Sequence, residues 1–239
     1  MKKAVILQSN YLPWKGYFDL IHDADVFVFY DEVKYTKNDW RNRNQIYGRN
    51  GLQWLTIPIS HDAVKLKISE VVLGDSRWQT MHFKTLYHTY RRAPHFDQLE
   101  PIMDEVLNRR QWTRLSELNR CLIERISRCL NITTEFADSK DFELPGGRME
   151  RLVILLQRLG ATEYITGPSA KDYFGDEEGL FAQNGIRLRY KDYAGYPQYR
   201  QLREPFQATV SIVDMLANID LREIPHYIWA WRGGGETPT

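Results

Sequence analysis

Ala4-Val5-Ile6-Leu7-Gln8-Ser9-Asn10-Tyr11-Leu12-Pro13-Trp14-Lys15-Gly16-Tyr17 is the stretch around which the rest of the chain is organised. Its opening Ala4-Val5-Ile6-Leu7 is apolar without polar alternation, which reads as a strand buried on both faces, as in a parallel sheet. Beyond the loop, Phe18, Leu20 and Ile21 stand among Asp19, His22 and Asp23, the pattern of a short helix with one buried face. A second apolar run, Val26-Phe27-Val28-Phe29-Tyr30, closes at Asp31. Strand, polar loop, helix, strand is the opening of an α/β sheet, and in such sheets ligands sit where loops leave the carboxyl ends of strands. The loop after the first strand is therefore the first candidate site. It holds the amides Gln8 and Asn10, the rings Tyr11, Trp14 and Tyr17, and Lys15. Large rings are costly to leave in water unless they line a cleft or pack down. A plug of Tyr11, Trp14 and Tyr17 over the core is the plainer alternative to a cleft.

Working outward, Asp31 to Gly51 reads DEVKYTKNDWRNRNQIYGRNG, with Lys34, Lys37, Arg41, Arg43 and Arg49 interleaved with Tyr35, Trp40 and Tyr47. A stretch this long without periodicity is expected to be a functional loop. Asp31, Tyr35, Lys37, Trp40, Asn42, Arg43 and Asn44 combine one acid with rings, amides and cations. Such a mix suits a phosphorylated, sugar-like or nucleotide ligand: rings stack, arginine forks onto oxygens, amides read hydroxyls. Gln53 to Ile59 is expected as a strand, pushed to an edge or an end by Pro58, and Val64 to Leu73 as a short extended piece. Helices are expected over 76–92, 97–108 and 113–130, giving a helical subdomain or cover at about 76–131 within a single domain 1–239. The α/β rhythm then returns. A strand is expected over 133–138, a helix from Arg148 to Leu159 capped by Gly160, and a strand at 164–166. Gly167-Pro168-Ser169 turns into a helix expected to reach about Asn184, and 186–190 is the last strand. A second aromatic loop, Lys191 to Gln207, a short helix over 209–216 and a loose Gly-rich tail complete the chain. The fold class is α/β, a mostly parallel, Rossmann-like sheet with an inserted helical block.

Composition narrows the partners. The 32 basic and 31 acidic residues nearly cancel, which argues against nucleic acid and against an anionic membrane surface. No apolar run approaches the roughly 20 residues of a membrane span. Met1-Lys2-Lys3 leads straight into the first strand, so a cytoplasmic location is expected. Cys121 and Cys129 fall on one expected helix, roughly 12 Å apart along its axis at about 1.5 Å per residue, too far to bridge each other. His82, His88 and His95 lack metal-binding spacing, and no metal is expected.

Two shorter patterns bear on chemistry. Trp14-Lys15-Gly16-Tyr17 has the spacing of the H-x-G-H signature of nucleotidyltransferases, with Trp14 and Tyr17 where that signature has histidines. Neither ring is cationic, so the likeness is one of architecture. Gly167-Pro168-Ser169-Ala170-Lys171 leads a strand into a helix, an arrangement whose free N–H groups can hold an anion; Gly167, Ser169 and Lys171 are its candidate phosphate contacts, and a plain Ser cap with a solvated lysine is the alternative.

Taken together, QSNYLPWKGYFDLI, DVFVFYDEVKYTKNDWRNRNQI, WLTIPI, YRRAPHF, LGATEYITGPSAKDYF, YPQY and SIVDML resemble the WbqC-like family over nearly the whole chain. The resemblance implies a bacterial cytoplasmic protein associated with O-antigen and other surface-polysaccharide assembly, and an enzyme. Its motif positions here are Gln8, Asn10, Tyr11, Pro13, Trp14, Gly16, Tyr17, Asp31, Tyr35, Lys37, Trp40, Arg43 and Asn44; Ser9 stands where family members often have proline. The resulting expectation is a transferase acting on a sugar or sugar-nucleotide intermediate, with acyl or aminoacyl transfer to an amine as one form. Asp31, Lys37 and Tyr17 are the candidate catalytic residues, and Gln8, Asn10, Tyr11, Trp14, Tyr35, Trp40, Arg43 and Asn44 the candidate substrate contacts. No cofactor is firmly implied; ATP or a nucleotide-linked donor is compatible with the loop chemistry. An ATP-dependent nucleotidyltransferase-like enzyme and a non-catalytic scaffold of the assembly machinery are the alternatives.

Overall fold

The computed structural model describes residues 1–233. In chain order the elements are β1 (Lys3–Leu7), α1 (Lys15–His22), β2 (Val26–Phe29), β3 (Arg43–Gly48), β4 (Gly51–Thr56), α2 (Arg77–Tyr90), α3 (Phe96–Leu107) and α4 (Leu115–Cys129). There follow β5 (Glu135–Asp138), α5 (Arg148–Arg158), β6 (Glu163–Thr166), α6 (Ala170–Phe174), α7 (Gly179–Gln183), β7 (Arg187–Tyr190), α8 (Ile212–Asn218) and α9 (Ile224–Ile228).

The fold is α/β. Five strands form one parallel sheet in the order β5-β2-β1-β6-β7. From β1 the chain moves outward through β2 to β5, then returns to the other flank of β1 with β6 and β7, a Rossmann-like winding. Alternate residues feed two cores. Val5, Phe27, Phe29 and Ile165 pack with α1, the α2–α4 block, α8 and α9. Ala4, Ile6, Val26, Val28 and Tyr164 pack with α5 and with Phe174 and Phe181 of α6 and α7. Burial on both faces is why β1 and β2 read as apolar runs.

Of the helical block, α4 occupies the crossover leading to β5, and its Leu118, Leu122 and Ile126 are fully buried. Cys121 and Cys129 are both free. Among the described residues no helix is long and apolar enough to cross a membrane.

Several local expectations need correcting. The 31–51 stretch is not all loop: β3 lies within it and pairs antiparallel with β4. Val64 to Leu73 is not a strand but two short 3-10 turns, His61–Lys65 and Ile68–Glu70. The helix expected from 170 to about 184 breaks at Gly175, whose φ of +52° with ψ of −134° suits glycine alone among common residues. The late helix starts at Ile212, not 209, because Ser211 caps it by accepting the Val213 N–H. Residues 234–239 of the expected loose tail lie outside the described residues.

Candidate functional site

The strand order reverses between β1 and β6, and at such a switch point the outgoing loops part and leave a crevice. Here a hollow of about 450 Å³ opens. The loop after β1 contributes Gln8, Asn10 and Trp14, and the first turn of α1 Tyr17; the turn after β6 contributes Gly167 and Ser169; the loop after β7 contributes Tyr193. None of the described residues lining it carries a formal charge. It is a chamber of rings, amides and hydroxyls.

The loop after β1 needs outside support to hold its shape. Leu12 sits at φ +43°, a conformation that costs a non-glycine residue about 1–3 kcal/mol. Four contacts hold it. Asn44 Nδ2 donates to the carbonyls of Tyr11 (3.2 Å) and Leu12 (2.9 Å). Ser211 Oγ donates to the Leu12 carbonyl (2.7 Å), and the Ile212 N–H to that of Pro13 (2.9 Å). Tyr11 turns its ring inward and is fully buried. Its hydroxyl meets His82 Nδ1 at 2.9 Å, while His82 Nε2 lies 3.2 Å from the Thr56 carbonyl. A carbonyl only accepts, so the proton sits on Nε2 and Tyr11 donates to Nδ1. Burial lowers the His82 pKa to about 4, which keeps the ring neutral.

Trp14 stands as the wall of the hollow. Its ring meets Tyr193 edge-on at 5.1 Å and Tyr196 at 6.1 Å. A methyl group on Gly16 would lie 2.3 Å from Trp14 Cζ2, so the indole can fold down only over glycine. Tyr17 is buried, and its hydroxyl donates to the Gln8 carbonyl at 2.9 Å.

Arg41 orients the two amides. Its guanidinium donates to Asn10 Oδ1 and, at 3.3 Å, to Gln8 Oε1. Arginine cannot accept, so both carboxamides turn their oxygens to Arg41 and keep their NH₂ groups for other partners. Arg41 was visible in the sequence as one basic residue among five, but its contacts reach back more than thirty residues, and no local spacing signals them.

The remaining expected residues are distributed as follows. Asp31 stands two residues past the end of β2, beside the hollow without lining it. It is 3% exposed; its Oδ1 accepts the Ser9 N–H at 2.8 Å, and its Oδ2 has no partner. Burial pushes its carboxyl above the usual range, against the pull of Ser9, Arg41 and Arg120. Tyr35, Lys37 and Arg43 border a different hollow of about 250 Å³, and the Arg43 guanidinium lies 4.3 Å from the Trp54 ring centre. Trp40 and Asn44 line a third, of about 260 Å³. Lys171 is exposed and points over Tyr190 at 5.3 Å, outside the main hollow. Ser169 makes no cap bond to α6, which is only five residues long. The structure thus brings the first loop, the Gly167 turn and Tyr193 together, and leaves Lys37, Arg43 and Lys171 elsewhere.

The loop that carries Tyr193 is anchored on both sides of it, at Lys191 and Tyr196. Lys191 Nζ lies 2.7 Å from both Asp19 Oδ1 and Asp23 Oδ2, and Arg232 grips Asp19 with both nitrogens, at 3.1 and 2.9 Å. Tyr196 also donates to Asp19. Lys15, which could have supplied a charge to the site, turns away. Its Nζ donates to the carbonyls of Pro197 (3.3 Å) and Tyr227 (3.4 Å), and burial lowers its pKa to about 8.

Comparison with known proteins adds two findings. The model of the WbqC-like protein family matches residues 8–225. The uncharacterized protein Rv1507c of Mycobacterium tuberculosis (strain ATCC 25618 / H37Rv) is 43% identical over 229 residues, covering 95% of this chain and 98% of that one. No solved structure matches.

Proposed function

The chain belongs to the WbqC-like protein family, and on that premise we propose that it is a transferase acting on a sugar or sugar-nucleotide intermediate of bacterial surface-polysaccharide (O-antigen) assembly. The observation that carries the reading is the 450 Å³ hollow at the switch point, lined by rings and amides and without charge among its described walls. A sugar ring has apolar faces and a hydroxyl edge. Trp14 and Tyr193 supply surfaces for the former, and the Arg41-oriented NH₂ groups of Gln8 and Asn10 supply donors for the latter. Asp31 and Tyr17 serve as positioning residues, acting through the Ser9 N–H and the Gln8 carbonyl. In acyl or aminoacyl transfer the acceptor amine forms the new C–N bond, the acyl carbon's bond to its carrier breaks, and the amine proton leaves with the carrier.

A second reading, an ATP-dependent nucleotidyltransferase-like enzyme, draws support from Trp14 and Tyr17, which border the hollow at the two histidine positions of H-x-G-H. The uncharged lining weighs against it, because phosphoryl transfer develops charge that calls for cations, whereas acyl transfer leaves a nucleotide's phosphates as passive carriers.

A thermal-shift series with sugar nucleotides, ATP and acyl thioesters decides between them. A sugar nucleotide at a hundred times its Kd stabilises the fold by about 2.7 kcal/mol, a shift of several degrees. Ser169→Trp, on the exposed rim of the hollow, removes that shift. A response to ATP with pyrophosphate release in the presence of an acid establishes the second reading instead, and no response to any sugar nucleotide overturns the first.

A further inference from the structure

The smaller hollow of about 260 Å³ lies against the larger one and is bounded by Asn10, Pro13, Trp14, Trp40, Asn44 and Thr209. Asn10 and Trp14 border both. Its volume falls below the roughly 300–1,000 Å³ of pockets that enclose drug-sized ligands, so it suits a single ring. Its described walls carry no formal charge.

What sets it apart is the rim. Trp40, which lines the hollow, is 43% exposed and packs beside the equally exposed Trp54, which does not line it, with ring centres 5.6 Å apart. Bare indoles are expensive in water and mark surfaces that receive something apolar. This shelf is also built. The Trp40 carbonyl accepts the Tyr11 N–H at 2.9 Å, which fixes Trp40 to the β1 loop. Arg43 stacks on Trp54 and bonds the Asn38 carbonyl, so its charge is engaged away from the hollow. Asn44 uses its N–H groups on Tyr11 and Leu12 and its oxygen on the Gln45 N–H (2.8 Å). It forms wall only. Asn10, its oxygen held by Arg41, keeps its NH₂ for a ligand. Thr209 adds a hydroxyl on the open side.

We infer that this smaller hollow is a second binding site, for an uncharged sugar ring that stacks on Trp40 and accepts an N–H from Asn10. An anionic ring is disfavoured, because both nearby guanidinium groups are occupied: Arg41 by Gln8, Asn10 and Asp39, and Arg43 by Trp54 and Asn38. The inference does not depend on what fills the larger hollow. With both filled, the two ligands are neighbours across Asn10 and Trp14.

Saturation-transfer NMR on the full chain tests it. The probes are the methyl glycosides of glucose, galactose, mannose and N-acetylglucosamine for the small hollow, and UDP-glucose for the large one. At least one glycoside receives saturation from the unmodified protein. Trp40→Ala weakens that binding at least tenfold, as does Thr209→Trp, which fills the hollow from its exposed rim and serves if the first variant misfolds. Ser169→Trp, in the other hollow, leaves it unchanged. The inference falls if no glycoside binds, if neither small-hollow variant weakens binding, or if Ser169→Trp abolishes it. Glycoside binding without UDP-glucose binding counts against the sugar-nucleotide reading of the larger hollow and leaves this one standing.

Discussion

At the scale of single residues, the site is governed by groups that touch no ligand. His82 is an example. It is neutral, buried and bonded on both nitrogens, between Tyr11 and the Thr56 carbonyl. Its pKa is about 4 in the fold against 6.5 in an unfolded chain. Above pH 6.5 the ring is neutral in both states and its contribution is complete. As the pH falls from 6.5 towards 4 the unfolded chain takes up a proton that the folded one refuses, and stability is lost. The gap corresponds to about 3 kcal/mol. Urea unfolding at pH 7 and pH 4 should show this loss, and His82→Gln should remove about that much of the pH dependence. Arg41 works in the same indirect way, setting the direction of two amides on which the reading of the hollow rests.

At the scale of elements, the β1 loop is a strained turn held by two side chains on one oxygen. Asn44 and Ser211 both donate to the Leu12 carbonyl. Asn44→Ala and Ser211→Ala should each cost about 0.5–1.5 kcal/mol. The double variant should cost more than their sum, by about 0.5–3 kcal/mol, because only then is that buried oxygen left without a partner. A double-mutant cycle by urea denaturation measures this. The same elements show what sequence reading could reach. β1 and β2 are legible because a strand covered on both faces has no polar alternation to disguise it, and β5, β6 and β7 because they fall in the α/β rhythm between helices. β3 is not: Arg43-Asn44-Gln45 looks like loop, and its place comes from the partner strand and from Asn44's bonds to the distant β1 turn. The helix expected over 170–184 breaks at Gly175, whose positive φ no neighbouring residue signals. Of the site, the β1 loop and the Gly167 turn were legible as loops leaving strands; Arg41's role was not, since only the fold brings it near.

At the scale of the molecule, one buried ionic cluster ties three parts of the chain together. Asp19 on α1 is fully buried and takes Lys191 from the end of β7 and Arg232 beyond α9. Asp19→Asn removes the charge and leaves two cations facing an amide. Breaking a buried pair from one side costs about 3–5 kcal/mol, and the loss should resist added salt because the cluster is shielded from solvent. Urea unfolding at low and high ionic strength measures both. A loss under 1 kcal/mol, or one that salt erases, would mean the cluster carries little of the fold.

Ser211 and Ile212 reach the Leu12 and Pro13 carbonyls across some 199 residues of chain. During synthesis the β1 turn therefore leaves the ribosome some 199 residues ahead of its last fasteners. A nascent chain stopped before residue 211 would carry all five strands of the sheet with its binding chamber still unfinished, so a complete sheet precedes a working site.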